Sequence, residues 1–354
     1  MRFPNIRRFL AAIIMLPVFS ILFLIHHFFL IFDYIIFPSF LKQKIIQPCF
    51  IVAAPRSGTT FLFHTMAEEK ELFTSTKLWE LIFAPAITQK YLILSLMRLD
   101  GKLGSPLKVL INKVESLLIG KFKTIHLLGL NFPEEDEVGM IWNLNTLYLS
   151  FFYPDSDLFH SYYFFDETMP EPRKKTIMKS YLRMVQRHNY VFNRCNQKRY
   201  LSKNPMMMNK VASLKQFFPD ANLLTIIRTP ANTIPSTIAL NSFIYQFFTN
   251  VQLNERVEKQ LFELIIKWYE MFHKNSSKYF PTNQLVLDFS ELISQPQRQL
   301  NKISAFLKFQ REINARLEER KQTNHISKNY YVPLSEKQIE DVFHHLPYLK
   351  NHFG

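Results

Sequence analysis

Four short runs of apolar residues stand out along the chain, and turn-forming residues bound each of them. They lie at 49–54, 199–203, 222–228 and 284–289. The runs are nearly continuous in apolar character, which is typical of parallel strands buried on both faces. Helical patterns such as 255–273 and 296–306 separate them. Strands that alternate with helices predict an α/β fold, an open parallel β-sheet with helices on both faces.

The N-terminal region follows a different pattern. Residues 9–32 contain no Asp, Glu, Lys or Arg, and as a helix they would reach about 36 Å, enough to cross the hydrocarbon core of a bilayer. Basic residues precede the run, and no small-residue cleavage site follows it. We predict an uncleaved N-terminal hydrophobic helix that acts as a single anchor, with its N-terminus in the cytosol if it spans. A helix that lies in the membrane interface is the alternative, because a proline and two histidines interrupt the run.

These patterns divide the chain into two parts. Residues 1–44 are predicted to form a membrane anchor and juxtamembrane segment, and residues 45–354 the main domain. The composition, with 47% apolar and 20% charged residues, is that of a folded protein. The second part is long enough for one large α/β domain. We therefore expect a membrane-associated protein, and the sequence leaves the side of the membrane open.

Charge narrows the choice of partners. The formal net charge is +14, which favours anionic partners such as phosphates, sulfates or lipid headgroups. Nine Lys or Arg residues and no acidic residue lie between 173 and 199, and a solvated helix face is the simplest interpretation of that stretch. No nucleic-acid-binding signature is present, so we expect no nucleic-acid partner. The two cysteines do not form a disulfide framework, and no Cys/His cluster has metal-ligand spacing.

The first predicted strand leads directly into a polar loop. The sequence "FIVAAPRSGTTFLFHTM" contains Arg56, Ser57, Gly58, Thr59 and Thr60 immediately before an apolar-periodic helix. Backbone N–H groups at a helix N-terminus attract anions, Gly58 allows close approach, and Arg56 adds a charged fork. The loop is P-loop-like, but it has no lysine before its Ser/Thr. We predict an anion-binding site here.

Two further strand ends carry polar residues. Arg228 ends the run "NLLTIIR", and Ser236 follows eight residues later within a predicted helix. Such a pair suits a second phosphate. Lys203 ends the run "RYLSK" and is followed by Asn204 and Pro205. Because ligands of open α/β sheets bind beyond the carboxyl ends of the strands, we expect these residues near the loop.

Taken together and in this order, these stretches resemble the sulfotransferases that use 3′-phosphoadenosine 5′-phosphosulfate (PAPS). The resemblance covers residues 50–307 and is strongest to the branch with "PRSGTT", then "WE", then "PEED". Here these are the loop at 55–60, "LWELIFAP" with Glu80, and "FPEEDE" with Glu134 and Glu135. This chain departs from the family pattern at two positions. The family usually has Asp or Asn after the second arginine, where this chain has Thr229, and a tyrosine in the last strand motif, where this chain has Phe289.

The resemblance implies a fold, a reaction and roles for residues. Arg56, Ser57, Gly58, Thr59 and Thr60 would bind the 5′-phosphosulfate of PAPS. A second group, Arg228 and Ser236, would bind its 3′-phosphate. The sulfuryl group would pass by in-line displacement to a hydroxyl acceptor, on a lipid, glycolipid or carbohydrate, with Lys203 and Arg56 stabilising developing charge and no metal required.

The sequence is compatible with more than one catalytic base and with more than one function. Glu80 matches the position where relatives place a catalytic acid, whereas crowding among Glu134, Glu135 and Asp136 would raise a pKa toward a useful value. The acidic cluster is also compatible with the solvated start of a helix after Pro133. Besides a sulfotransferase, the chain could be a membrane-tethered nucleotide-binding protein without catalysis, or a P-loop-like kinase.

Overall fold

The computed structural model describes residues 6–119, 129–151, 156–249, 252–313 and 332–353. Within them, five strands form one parallel sheet in the order β2-β3-β1-β4-β5. The strands are β1 Cys49–Ile51, β2 Phe73–Thr74, β3 Arg199–Lys203, β4 Asn222–Ile227 and β5 Gln284–Asp288. The four predicted strands are confirmed, with β1 ending three residues early. Strand β2 was not predicted because two residues are too few to show a pattern.

The described residues also contain helices, which come in three groups along the chain. The first group is α1 Ile6–Ile36, α2 Thr59–Ala67, α3 Leu78–Phe83, α4 Ile87–Lys102 and α5 Pro106–Ile119. The second is α6 His160–Tyr163, α7 Phe165–Thr168, α8 Glu171–Phe192, α9 Val211–Phe217 and α10 Pro230–Thr249. The third is α11 Glu255–Tyr279, α12 Phe289–Ser294, α13 Pro296–Phe306, α14 Glu336–His345 and α15 Pro347–Phe353. Short 3-10 helices lie at Pro38–Lys42, Asp136–Asn143, Leu147–Phe151, Asp157–Phe159 and Pro205–Asn209.

The sheet is covered on both faces, as the continuous apolar runs predict. Phe50 and Val52 of the first strand region join a core cluster with residues of α8, α9 and α11. Cys49 and Ile51 point the other way, into a second cluster with residues of α2, α12 and α13. Successive strand residues face opposite sides, so one strand supplies both cores. The predicted α/β class, with a parallel sheet between helices and an N-terminal apolar helix, is confirmed.

The basic stretch between 173 and 199 is only partly a solvated surface. Most of it forms α8, on which Arg187 is buried and pairs with Asp33 of α1 at 3.0 Å. Burial of a guanidinium is stable only with such a partner. This pair fixes the end of α1 to the body of the domain.

Candidate active site

The predicted anion loop connects β1 to α2 through a strained backbone. Arg56 and Gly58 both have positive φ angles, 67° and 85°. A Cβ added at Gly58 would lie 2.7 Å from Cε2 of Phe289, closer than real Cβ contacts allow. Glycine is therefore required at 58, both for its φ and for the ring packed against it. Two of the loop's hydroxyl residues, Ser57 and Thr59, are buried.

The two arginines of the predicted donor site lie side by side. The Nε of Arg56 donates a hydrogen bond to Oγ of Ser236 at 3.1 Å. One guanidinium N–H of Arg228 donates to the carbonyl oxygen of Arg56 at 2.8 Å. The guanidinium carbon of Arg228 also lies 4.3 Å from the centre of the Phe289 ring. The loop after β1 and the loop after β4 thus form one cationic cluster, in which Phe289 supports both Gly58 and Arg228.

Lys203 connects this loop to the acidic stretch. It is the last residue of β3 and is only 1% exposed. Its Nζ donates to Oγ1 of Thr60 at 3.1 Å and lies 2.6 Å from Oε1 of Glu135. Tyr148 donates a hydrogen bond to the other oxygen of Glu135. Glu135 therefore holds the ammonium group of Lys203 at the start of α2.

Glu134 is placed differently from its neighbour. Its side chain is buried, its Oε1 accepts the backbone N–H of Glu135 at 2.9 Å, and its Oε2 has no hydrogen-bond partner among the residues that the structure describes. Burial raises the pKa of Glu134 to about 7, which Lys203 opposes and Glu135 reinforces. A carboxylate with one unused oxygen and a pKa near neutrality has the properties of a general base.

The remaining acids of this stretch have structural partners. Asp136 accepts hydrogen bonds from the hydroxyls of Tyr181 at 2.5 Å and Tyr200 at 3.0 Å, and burial raises its pKa to about 6. Glu137 lies 3.2 Å from Nζ of Lys210. The interpretation of the cluster as a solvated helix start is therefore wrong. Glu134, Asp136 and Glu137 are all at most 6% exposed, because strands and helices distant in sequence cover them.

Glu80 lies in the first turn of α3, and both of its carboxylate oxygens are engaged. Oε1 accepts the backbone N–H of Lys77 at 3.1 Å, and Oε2 is 2.8 Å from Nδ1 of His188. The other ring nitrogen of His188 shares a hydrogen bond of 2.7 Å with Oγ1 of Thr74. Burial acts to raise the pKa of Glu80, but the charge and hydrogen bond of His188, with smaller contributions from Lys90 and the backbone N–H of Lys77, outweigh it, and the pKa is lowered.

A pocket of about 450 Å³ lies beside the acidic stretch. Thr74, Glu80 and His188 line it, together with Pro133, which directly precedes Glu134, and His64, which follows Thr60 by one turn of α2. Phenylalanines and lysines form much of the remaining wall, namely Phe73, Phe132, Phe192, Lys70, Lys77 and Lys198, and Ala67, Glu68, Ser75 and Asn131 complete it. The pocket offers an apolar wall, a basic border and a buried carboxylate.

The structure brings together most of the residues that the sequence singled out. Arg56, Thr60, Lys203, Arg228 and Ser236 form one connected set, and Glu134 and Glu135 adjoin it through Lys203. Glu80 belongs to a separate network in the pocket. Sequence reasoning missed three partners, Tyr148, Thr74 and His188, because nothing in their local sequence marks them. Among the described residues, no group of three or more His, Cys, Asp or Glu side chains could hold a metal ion.

The fold and the cluster define a class of protein. Three adjacent strands, β3, β1 and β4, end at the lysine, the predicted anion loop and the second arginine, and an open α/β sheet of this kind binds its ligands beyond the strand ends.

Comparison with known proteins narrows that class. Residues 153–312 match a family model described as the sulfotransferase family. The chain is 28% identical over 181 residues to omega-hydroxy-beta-dihydromenaquinone-9 sulfotransferase Stf3 of Mycobacterium bovis, and equally to that of Mycobacterium tuberculosis. The match covers 50% of this chain and 45% of each relative, so the chain spans about half the length of the curated relatives it matches.

Two solved structures share the fold across most of the chain. Sulfotransferase STF9 from Mycobacterium avium superposes with a TM-score of 0.67 at 14% identity and covers 91% of this chain and 81% of its own. Sulfotransferase STF1 from Mycobacterium tuberculosis gives 0.61 at 15% identity, with 91% and 82% covered. The family model and the curated relatives thus show similarity to sulfotransferases over about half of the chain, and the two solved structures show a shared fold.

Proposed function

We propose that this protein transfers the sulfuryl group of PAPS to a hydroxyl acceptor. The observation that carries the proposal is the meeting of Lys203, the 55–60 loop, Arg228 and Ser236 at the ends of three adjacent strands. Two guanidinium groups, an ammonium group and several hydroxyls suit a ligand with two separate anionic groups. The donor would supply the activated sulfuryl group as a co-substrate.

The proposal divides the binding of the donor between two sets of residues. Backbone N–H groups of the loop and the hydroxyls of Thr59 and Thr60 would hold the 5′-phosphosulfate at the start of α2. Arg228 and Ser236 would hold the 3′-phosphate. Arg56, which contacts Ser236 in the structure, would lie between the two groups and stabilise negative charge on either.

In the proposed reaction, a bond forms between the acceptor oxygen and sulfur while the bond from sulfur to the bridging oxygen of the donor breaks. Adenosine 3′,5′-bisphosphate (PAP) leaves with the bridging oxygen. Lys203 would stabilise the charge that develops on this oxygen, because its Nζ is held at the start of α2 by Thr60 and Glu135. The acceptor's proton would go to a carboxylate.

We propose Glu134 as that carboxylate, with Glu135 as the residue that positions Lys203. Glu134 has an unused buried oxygen and a pKa raised to about 7, whereas Glu135 is engaged by Lys203 and Tyr148. Glu80 remains the rival base. Its engaged oxygens and lowered pKa favour a positioning role, in which it orients His188 on the wall of the pocket.

The acceptor is proposed to be an apolar molecule that carries a hydroxyl group. The pocket beside Pro133 would admit it, since aromatic side chains line this space and Pro133 directly precedes Glu134. The curated relatives are named as sulfotransferases of omega-hydroxy-beta-dihydromenaquinone-9. An apolar α1 is consistent with an enzyme held at a membrane, where such acceptors reside, and we propose membrane association on that basis.

The donor half of the proposal is tested by ligand-induced thermal stabilisation of the full chain in detergent. We expect PAP to stabilise the protein and ATP with Mg²⁺ not to. Arg228→Ala should abolish the shift, whereas Arg298→Ala, which removes an exposed arginine on α13, should leave it unchanged. A preference for ATP with Mg²⁺ would instead support a kinase and overturn the proposal.

The transfer half is tested with ³⁵S-labelled PAPS and a panel of acceptors. The panel holds hydroxylated isoprenoid quinones, glycolipids and soluble sugars. We expect label in an organic-soluble product that contains a former hydroxyl group. A protein that binds PAP yet labels none of the three classes would match the non-catalytic nucleotide-binding alternative and contradict the enzyme.

A further inference from the structure

The N-terminal helix is joined to the domain along one side. Phe19 stacks on Trp142 with ring centres 5.2 Å apart, and Nε2 of His26 contacts the carbonyl oxygen of Ile82 at 3.1 Å. One turn before its end, Asp33 is fully buried and pairs with Arg187. From Phe19 onward, α1 is therefore part of the folded body.

This attachment limits how α1 can meet a bilayer. The thirteen helical residues that precede Phe19 extend about 20 Å, which is less than the roughly 30 Å of a hydrocarbon core. A perpendicular crossing by all of α1 would draw the packed side of the domain, with its buried polar contacts, into hydrocarbon. A helix that lies along the interface avoids this cost.

The other side of α1 is an exposed apolar stripe. It consists of Ile21, Leu24, Phe28, Ile31 and Ile35, which are each 58–71% exposed and spaced three or four residues apart. That spacing puts them on one helix face. An apolar face of this size on an isolated soluble domain would be unusual.

The hairpin formed by α4 and α5 extends the same kind of surface. Asp33 accepts the backbone N–H groups of Ile87 and Thr88 at 2.8 and 3.1 Å, so α4 begins where α1 ends. Twelve large apolar side chains of the hairpin are exposed: Tyr91, Leu92, Leu96, Met97, Leu99, Leu103, Leu107, Val109, Leu110, Ile111, Val114 and Leu117.

The charges of this hairpin are sorted by sign. Every exposed charged side chain between 87 and 119 is basic, and there are four: Arg98, Lys102, Lys108 and Lys113. The carboxylates of its two acidic residues accept hydrogen bonds from backbone N–H groups. Asp100 accepts the N–H of Leu107 at 2.7 Å, and Glu115 accepts that of Leu130 at 3.4 Å. Apolar residues interleaved with lysines and arginines match an anionic lipid surface.

We propose that the apolar stripe of α1 and the α4–α5 hairpin together form a membrane-docking platform that inserts into one leaflet of an anionic bilayer without crossing it. This inference rests on the proposed membrane association and is independent of sulfuryl transfer. It favours the interfacial alternative for α1 over a single N-terminal crossing and assigns a second membrane-contacting element, 87–119.

The test uses the full chain in a Cys195→Ser background, since Cys49 is buried. An environment-sensitive fluorophore is attached at Leu24→Cys, at Leu110→Cys or, as a control at an exposed position of α11, at Lys259→Cys. Proteins are added to vesicles of phosphatidylcholine with or without phosphatidylglycerol. We expect the fluorescence emission to shift to the blue at positions 24 and 110 and not at position 259. Fluorescence at positions 24 and 110 should be quenched more strongly by lipids with a shallow quencher than by lipids with a quencher at the bilayer centre.

A second variant removes the charges instead of probing the surface. Changing Arg98, Lys102, Lys108 and Lys113 to glutamine should weaken binding to anionic vesicles by a hundredfold or more, because each basic residue near such a surface contributes roughly fivefold. Stabilisation by PAP should be unchanged, which separates this inference from the proposed activity. The proposal would be overturned if the probe at position 110 stayed in water, or if the probe at position 24 were quenched most strongly from the bilayer centre. It would also be overturned if the glutamine variant of the hairpin changed self-association but not vesicle binding.

Discussion

Substitution of Glu134 by glutamine separates the proposed catalytic role of this residue from its effect on stability. The substitution keeps the size of the side chain and removes its charge. A shift of the Glu134 pKa from 4.5 to about 7 corresponds to about 3 kcal/mol. Because the folded state raises this pKa, the contribution of Glu134 to stability is complete below about pH 4.5 and is lost as the pH rises to about 7.

The variant should therefore unfold less readily than the parent at pH 8, with a free energy of unfolding greater by up to about 3 kcal/mol. The two proteins should converge below about pH 4.5. Turnover should move in the opposite direction and fall by about 10²- to 10⁴-fold, since general base catalysis contributes that much. In the parent, kcat/KM should rise with pH to a plateau above about 7, and the variant should lack this rise.

Denaturant unfolding between pH 4 and 9, together with single-turnover assays with labelled PAPS, measures both effects. Glu263→Gln on the exposed face of α11 is the matched control and should change neither. Unchanged turnover in Glu134→Gln would remove the base assignment. If Glu80→Gln abolished the pH-dependent rise while Glu134→Gln kept it, the role of base would pass to Glu80.

Three further predictions concern the loop and the strand ends. Gly58→Ala should destabilise the protein by about 1–3 kcal/mol and abolish PAP binding, whereas Gly101→Ala, whose added Cβ meets nothing within 4 Å, should be neutral or slightly stabilising in denaturant unfolding. Ser236→Ala should weaken PAP binding by about tenfold in calorimetric titration, through one lost charge-assisted hydrogen bond. Lys203→Ala should lower single-turnover rates by about 10²-fold or more, unlike Lys259→Ala.

The sheet and the anion loop could be predicted because their signals are local. A buried parallel strand is a continuous apolar run, and "PRSGTT" contains the glycine and hydroxyls of an anion-binding turn within six residues. The position of Lys203 and Arg228 beside this loop could also be predicted from the sequence, because each residue lies at the carboxyl end of a strand in a parallel sheet. The structure adds the geometry that joins them, such as the contact of Arg56 with Ser236 across 180 positions.

The partners of the carboxylates could not be predicted in this way. Glu80 and His188 are 108 positions apart, and the local sequence around either residue does not indicate that the other is its partner. Burial decides the difference between Glu134 and Glu135, and burial depends on how the 3-10 helix Asp136–Asn143 and the strands pack around the stretch. The sequence suggested a pKa raised by crowding, whereas the largest cause for Glu134 is removal from water.

Asp33 has a consequence for how this protein can be handled. It caps α4 and neutralises Arg187, so α1 serves as a structural part of the domain and not only as a tether. Cutting the chain at the predicted boundary near residue 44 would leave a buried guanidinium and the first N–H groups of α4 without their carboxylate. Removal of the hydrophobic segment is therefore expected to destabilise the domain, and the protein is better studied whole, in detergent or lipid.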